Sequence, residues 1–203
     1  MNIAVLASGR GSNLQALIDS IDAGKIKARI SAVISDKANA HALERARNHG
    51  IKDYHLPAQE FPDRESYDRA LADFLERQEI NLICLAGFMR VLSEEFIERF
   101  PNRIINIHPS LLPAFPGLAA QKQALDYGVK YTGCTVHFVD AGVDTGPIIG
   151  QRVIPVYDSD TVESLSGRIL EQEHSLYPEV VGWIAKGRVS VSGRRVSVQK
   201  EAF

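Results

Sequence analysis

The sequence predicts a single α/β domain built on a mostly parallel, twisted sheet with helices on both faces. Three observations carry that expectation. Short apolar runs of strand length alternate with amphipathic stretches of helical period along the first hundred residues. Several of the runs stop at a glycine or an aspartate, Gly9, Asp36 and Gly87 among them. The runs are nearly continuous in apolar residues, as strands covered on both faces must be.

The elements follow in order. Asn2 to Ser8 reads as a buried strand ending at Gly9-Arg10-Gly11. From Ser12 the apolar residues fall at Leu14, Leu17, Ile18 and Ile21, a helix that Gly24 closes. Ala28 to Ser35 is a second strand ending at Asp36, His41 to His49 a short helix stopped by Gly50, and Tyr54 to Leu56 a short third strand. Arg64 to Gln78 carries Tyr67, Leu71, Phe74 and Leu75 on one helical stripe. Leu82 to Ala86 is the next strand, Ser93 caps a helix that Pro101 ends, and Ile104 to Ile107 is another strand. His108 to Gly117 holds three prolines and is excluded from helix and sheet interior. Leu118 to Tyr127 reads as helix, Gly133 to Asp140 and Pro147 to Val156 as strands, and Asp160 or Thr161 starts the longest helix, expected in two parts around Pro178 and reaching about Lys186. Residues 188–203 form a tail with two alternating runs about Ser192-Gly193, the pattern of a hairpin.

A domain of 203 residues buries about 70% of its unfolded surface. Lys and Arg number 23 against 25 Asp and Glu, a net charge of -2, which leaves no basic field for a polyphosphate backbone, so no nucleic-acid partner is expected. Cys84 and Cys134 lie inside apolar runs as small core residues, which suits a reducing compartment. No His/Cys/Asp spacing matches a metal site, no apolar stretch approaches a membrane span, and no basic leader opens the chain. The expectation is a cytoplasmic protein with no metal and no membrane partner.

Three segments carry candidate chemistry. Ser8 to Asn13 lies between a strand and a helix, where glycines and free N–H groups admit one phosphate, or serve as a tight turn and cap. The segment lacks the lysine of a nucleotide P-loop, and Leu14 stands where a dinucleotide fingerprint needs its third glycine. Asn106 and His108 are two apart at a strand end and so face one side; an amide donor beside an imidazole suits a developing oxyanion and a moving proton. Asp140 and Asp144, in the glycine-rich loop 140–147, either cap that turn or reach His108; at His108, Asp144 would orient the ring and raise its pKa. No nucleophile elbow is present, which leaves direct attack by a bound amine. His137 and His174 could approach the site but default to structural imidazoles, His41 and His49 lie on a surface helix, and His55 lies on a short strand.

Taken together, Ser-Gly-Arg-Gly-Ser-Asn at 8–13, Gly-Phe-Met-Arg at 87–90, Asn-Ile-His-Pro-Ser-Leu-Leu-Pro at 106–113 and Val-His-Phe-Val-Asp-Ala-Gly-Val-Asp-Thr-Gly-Pro at 136–147 resemble the folate-dependent formyltransferases, over Met1 to about Lys186. The resemblance implies a single-domain Rossmann-like formyltransferase fold, with ribonucleotide phosphate held by the N-terminal half and folate binding and catalysis in the C-terminal half. Within that family the phosphate loop and short length resemble the members that act on glycinamide ribonucleotide. The implied reaction moves the formyl group of 10-formyltetrahydrofolate to the glycyl amine of glycinamide ribonucleotide, giving formylglycinamide ribonucleotide and tetrahydrofolate, a step of de novo purine synthesis, by a monomer or homodimer. Residue by residue, the resemblance puts Asn106, His108 and Asp144 on the catalytic trio; Gly11, Ser12, Asn13 and Glu173 on ribonucleotide contacts; and Arg64, Met89, Arg90, Val91, Leu92, Asn106, Asp140, Ala141, Gly142, Val143 and Asp144 on the folate pocket.

One departure stands out, since relatives carry His-x-His where this chain has Ala119-Ala120-Gln121. That departure supports a rival, a member that binds folate or nucleotide with weak or no turnover. Two further rivals are a nicotinamide-dependent oxidoreductase using Gly9, Gly11 and Asp36, and a formyltransferase acting on charged initiator tRNA. The third glycine's absence counts against the first; the missing basic surplus counts against the second.

Overall fold

The computed structural model describes residues 1–199, so the 200–203 end of the expected tail lies outside the described residues. Two compact units divide the chain, residues 1–106 and 107–203. In the first, strands β1 (Asn2–Leu6), β2 (Arg29–Ser35), β3 (Asp53–His55), β4 (Leu82–Leu85) and β5 (Ile104–His108) run parallel in the order β3-β2-β1-β4-β5. The registers pair Ile3 with Leu82 and Leu6 with Leu85, apolar against apolar, so β1 and β4 share one buried ladder. Helices α1 (Ser12–Asp22), α2 (His41–Asn48), α3 (Arg64–Arg77) and α4 (Glu94–Arg99) form the crossovers. Leu14, Leu17 and Ile18 of α1 and Leu71 and Leu75 of α3 are buried, the stripes expected from their spacing. Asp63 and Ser93 cap α3 and α4 by accepting from Ser66 and Phe96 N–H groups.

Because the five strands run the same way, their carboxyl ends share one edge, where open α/β sheets place ligands. The β1–α1 loop, Asp36 and the 87–93 segment after β4 lie there, and β5 delivers His108 one residue further than the strand expected to stop at Ile107.

In the second unit, β6 (Tyr131–Phe138) and β7 (Ile148–Pro155) pair antiparallel, Tyr131 opposite Pro155, with a bulge between Val136 and His137. Helix α5 (Ala120–Tyr127) precedes them; Ala119, in the left-handed region, delays its start from the expected Leu118. Helix α6 (Val162–Ala185) is one continuous element rather than two parts around Pro178. Proline removes one rung of the helical ladder, yet Leu165, Ile169, Leu176, Tyr177, Val180 and Val181 bury a stripe on both sides of it, and that packing against β6 and β7 holds the helix through. Thr161 and Ser164 close a reciprocal cap at its start. Strands β8 (Val189–Ser192) and β9 (Arg195–Val198) form the expected hairpin, whose Arg194 donates to the Thr145 carbonyl at 2.9 Å. The predicted mostly parallel α/β class is therefore the one formed; a single 3-10 turn at Ala58–Glu60 was not foreseen.

Candidate active site

At the end of β5, His108 is buried, 5% exposed. Its Nδ1 lies 3.2 Å from Asp144 Oδ2, and its Nε2 donates to the Phe115 carbonyl at 2.8 Å. Asp144 stands between two imidazoles: His137 Nε2 is 3.5 Å from its Oδ1, while the His137 Nδ1 donates to the Phe138 carbonyl at 2.8 Å. The Gly117 N–H donates to Asp144 Oδ2 at 2.8 Å, which ties the proline-rich loop to the same carboxylate. Of the three groups that face the aspartate, His108 alone was legible in the sequence as a candidate. His137 was read as structural, and the signal that would have found it is its register: on β6 it lies at the bulge, immediately before the strand gives way to the loop that carries Asp144.

Burial sets the electrostatics of this group. Desolvation holds the His108 imidazole below its ordinary value near 6.5, against the raising effects of the Phe115 carbonyl and the Asp144 carboxylate; His137 lowers it further. Asp144 thus raises His108 in the expected direction, but desolvation outweighs the carboxylate and the net shift is downward. For Asp144, burial alone would push the carboxyl up, but the hydrogen bonds from His137 and the Gly117 N–H, with the nearby imidazole charges, hold it below the ordinary carboxylate range.

The two aspartates of the 140–147 loop divide the roles left open by the sequence. Asp140 caps its own turn, accepting from Thr145 Oγ1 at 2.6 Å and Gly142 N–H at 3.2 Å, whereas Asp144 turns to His108. Asp144 adopts φ 55°, and Gly146 supplies the close approach that lets the loop fold back: a Cβ there would sit 1.8 Å from the Phe138 carbonyl oxygen. Ala141, Gly142 and Val143 are exposed along the rim. Asn106 precedes His108 by two residues on β5 and is half-buried.

In the first unit, Gly11 takes φ 68° at the start of α1, and a Cβ there would meet Ala42 Cα at 2.8 Å. Helix α1 has no side-chain cap at Gly11, and the N–H groups of a helix's first turn have no partner within the helix, which suits an anion at this end. The 87–92 segment alternates. Met89 and Val91 are 68% and 55% exposed, while Leu92 is buried and the Arg90 guanidinium lies 4.4 Å over the Tyr67 ring. The segment therefore offers two exposed apolar side chains, Met89 and Val91, on an anchored backbone. Arg64 opens α3, exposed, beside Glu65 at 3.0 Å. In the second unit Glu173 is buried on α6 close enough to Cys134 to raise its thiol, which burial itself pushes up to about 12. Ala119 is exposed and Gln121 half-exposed at the start of α5, so no imidazole stands at those positions. Asp36, which the oxidoreductase reading needs for a ribose, is buried and accepts from Ser8 Oγ at 2.6 Å.

Among the described residues, no group of three or more His, Cys, Asp and Glu side chains is placed to hold a metal ion. No helix is long and apolar enough to cross a membrane. The formyl transferase family matches residues 1–181. Over 191 residues the chain is 47% identical to phosphoribosylglycinamide formyltransferase of Escherichia coli, covering 94% of this chain and 90% of that one. It is 50% identical to part of the trifunctional purine biosynthetic protein adenosine-3 of Drosophila pseudoobscura pseudoobscura, spanning 98% of this chain and 15% of that protein. The solved glycinamide ribonucleotide transformylase 1 of Symbiobacterium toebii superposes with a TM-score of 0.97 at 52% identity, over 98% of this chain and 94% of that one. With a family match across most of its length and this likeness in sequence and in fold, the chain belongs to the formyl transferase family.

Proposed function

We propose that this protein transfers the formyl group of 10-formyltetrahydrofolate to the glycyl amine of glycinamide ribonucleotide in purine biosynthesis. The observation that carries the reading is the buried His108–Asp144 pair, flanked by His137 and two residues along β5 from Asn106. The names of the relatives support the same reaction.

In this reading the neutral amine attacks the formyl carbon, and the carbonyl oxygen gains negative charge. The Asn106 amide and the His108 Nε2–H donate to that oxygen; the Phe115 carbonyl, 2.8 Å from Nε2, marks the donor's direction and gives up its hydrogen bond when the substrate oxygen arrives. Burial holds the His108 pKa down, and the oxyanion developing beside it favours the charged ring, which donates from Nε2 while its Nδ1–H faces Asp144. The proton that the amine releases passes through the His108–Asp144 pair to the folate nitrogen as its bond to the formyl carbon breaks. Asp144, held ionised, orients the ring, and His137 orients Asp144. Gly11, Ser12, Asn13 and Glu173 are assigned to the ribonucleotide. Arg64, Met89, Arg90, Val91, Leu92, Asn106 and the Asp140–Asp144 loop are assigned to the folate, with Met89 and Val91 offering apolar surface beside backbone polar groups.

The test is formyl transfer to glycinamide ribonucleotide followed by absorbance, with His108→Ala alongside. Turnover that the variant loses supports the reaction and the site together. Binding of both ligands without turnover favours the binding-only reading, which rests on Ala119 and Gln121 standing where the family resemblance leads one to expect imidazoles.

A further inference from the structure

Two loops of the first unit, one assigned to each ligand, are joined at one residue, through its backbone and its side chain. Ser8 lies between the end of β1 and the phosphate loop. Its N–H donates to the Gly87 carbonyl at 3.0 Å, and its Oγ accepts from the Met89 N–H at 3.0 Å. The same hydroxyl donates to Asp36 Oδ1 at 2.6 Å. A serine hydroxyl has one hydrogen. With that hydrogen committed to Asp36, only lone pairs remain for Met89, so the direction of the bridge is fixed.

Asp36 is 5% exposed at the end of β2, and a carboxylate taken out of water is costly unless it is paired. Its partners are the Ser8 hydroxyl and, at 3.7 Å, the Lys37 ammonium. The other side of the phosphate loop is also held, since Ala42 N–H donates to the Gly9 carbonyl at 3.1 Å and Gly11 packs directly on Ala42. The far end of the 87–93 segment is pinned where Ser93 N–H donates to the buried Asp68 carboxylate at 2.6 Å. Between fixed outer ends, the Ser8 hydroxyl is where a shift of one loop reaches the other.

We propose that Ser8, held in orientation by Asp36, is a positioning residue that couples ribonucleotide binding at Gly11–Asn13 to folate binding at Met89–Leu92. The inference rests on the ligand assignments made above. Coupling of this kind is reciprocal: each ligand tightens the other by the same factor.

The experiment measures the Kd of glycinamide ribonucleotide by titration calorimetry, with and without saturating 5,8-dideazafolate, which carries no formyl group to transfer. The wild-type chain is expected to bind ribonucleotide at least about 5-fold more tightly with the folate analogue present, the lower range of typical coupling. In Ser8→Ala the ratio falls below about 2-fold while each ligand still binds alone. Asp36→Ala repeats the loss with Ser8 intact, and Asp36→Asn, whose amide oxygen still accepts from Ser8, restores the ratio. A Ser8→Ala chain with the wild-type ratio, or a wild-type chain with no ratio, overturns the coupling. A wild type that binds both ligands and transfers no formyl group overturns the reaction alone, because the coupling is read from binding. One that binds neither overturns both.

Discussion

Asp144 is the residue on which both imidazoles of the site converge, and its substitution gives a test with a defined sign. Burial already holds His108 below its ordinary value near 6.5, and the carboxylate opposes that shift. Asp144→Asn removes the opposing charge, so the limb of the pH-rate profile tied to His108 should move further to lower pH; an unmoved limb would break the proposed link. The same shift has a stability consequence. A ring whose folded value is depressed stabilises the protein fully above its unfolded value and ceases to do so as pH falls through the folded one, so denaturation midpoints should drop below about pH 6.5 and do so less in His108→Ala. For Asn106→Ala, loss of an oxyanion donor predicts a kcat lower by about 10²- to 10³-fold with both ligands still bound. Spacing was enough to put Asn106 and His108 together, because a strand places i and i+2 on one side; between Asp140 and Asp144 it left the choice open, and the folded loop turns Asp144 to His108 while Asp140 caps its own turn. The direction of the His108 shift was not legible, since it depends on how completely the folded chain removes the ring from water.

Among the elements, α1 shows how closely a loop and a helix start are specified. Gly11 is left-handed and touches Ala42. Gly11→Ala therefore costs about 1–2 kcal/mol from the backbone alone, with the overlap on Ala42 in addition. Chemical denaturation should show a loss of about 2 kcal/mol or more, and ribonucleotide affinity should fall with it. The strand and helix centres were legible because their apolar spacing is set by burial. Their ends were less so. β6 begins at Tyr131 rather than Gly133 because Pro155 of β7 pairs there, and α6 passes Pro178 because residues on both sides of it are packed. Partners across the sheet decide those limits, and local sequence does not encode them.

Considered as a whole chain, the C-terminal hairpin is more than a solvated edge. Its Arg194 reaches the Thr145 carbonyl, next to Asp144, and β9 packs against β7. Arg194→Ala should lower kcat/KM several-fold through a looser 140–145 loop, with the thermal midpoint shifted by less than about 2 °C, as for a surface substitution; an unchanged kcat/KM would return the hairpin to a structural part only. Nothing in the sequence linked Arg194 to that loop, 49 residues earlier. The two cysteines, by contrast, were legible as core residues. Both are buried, neither forms a disulfide, and the Cys134 thiol is pushed up to about 12. Maleimide chemistry at neutral pH thus meets a silent background, and a single cysteine introduced at an exposed rim position such as Val143 becomes the one addressable handle for a fluorophore or spin label that watches the loop while ligands come and go.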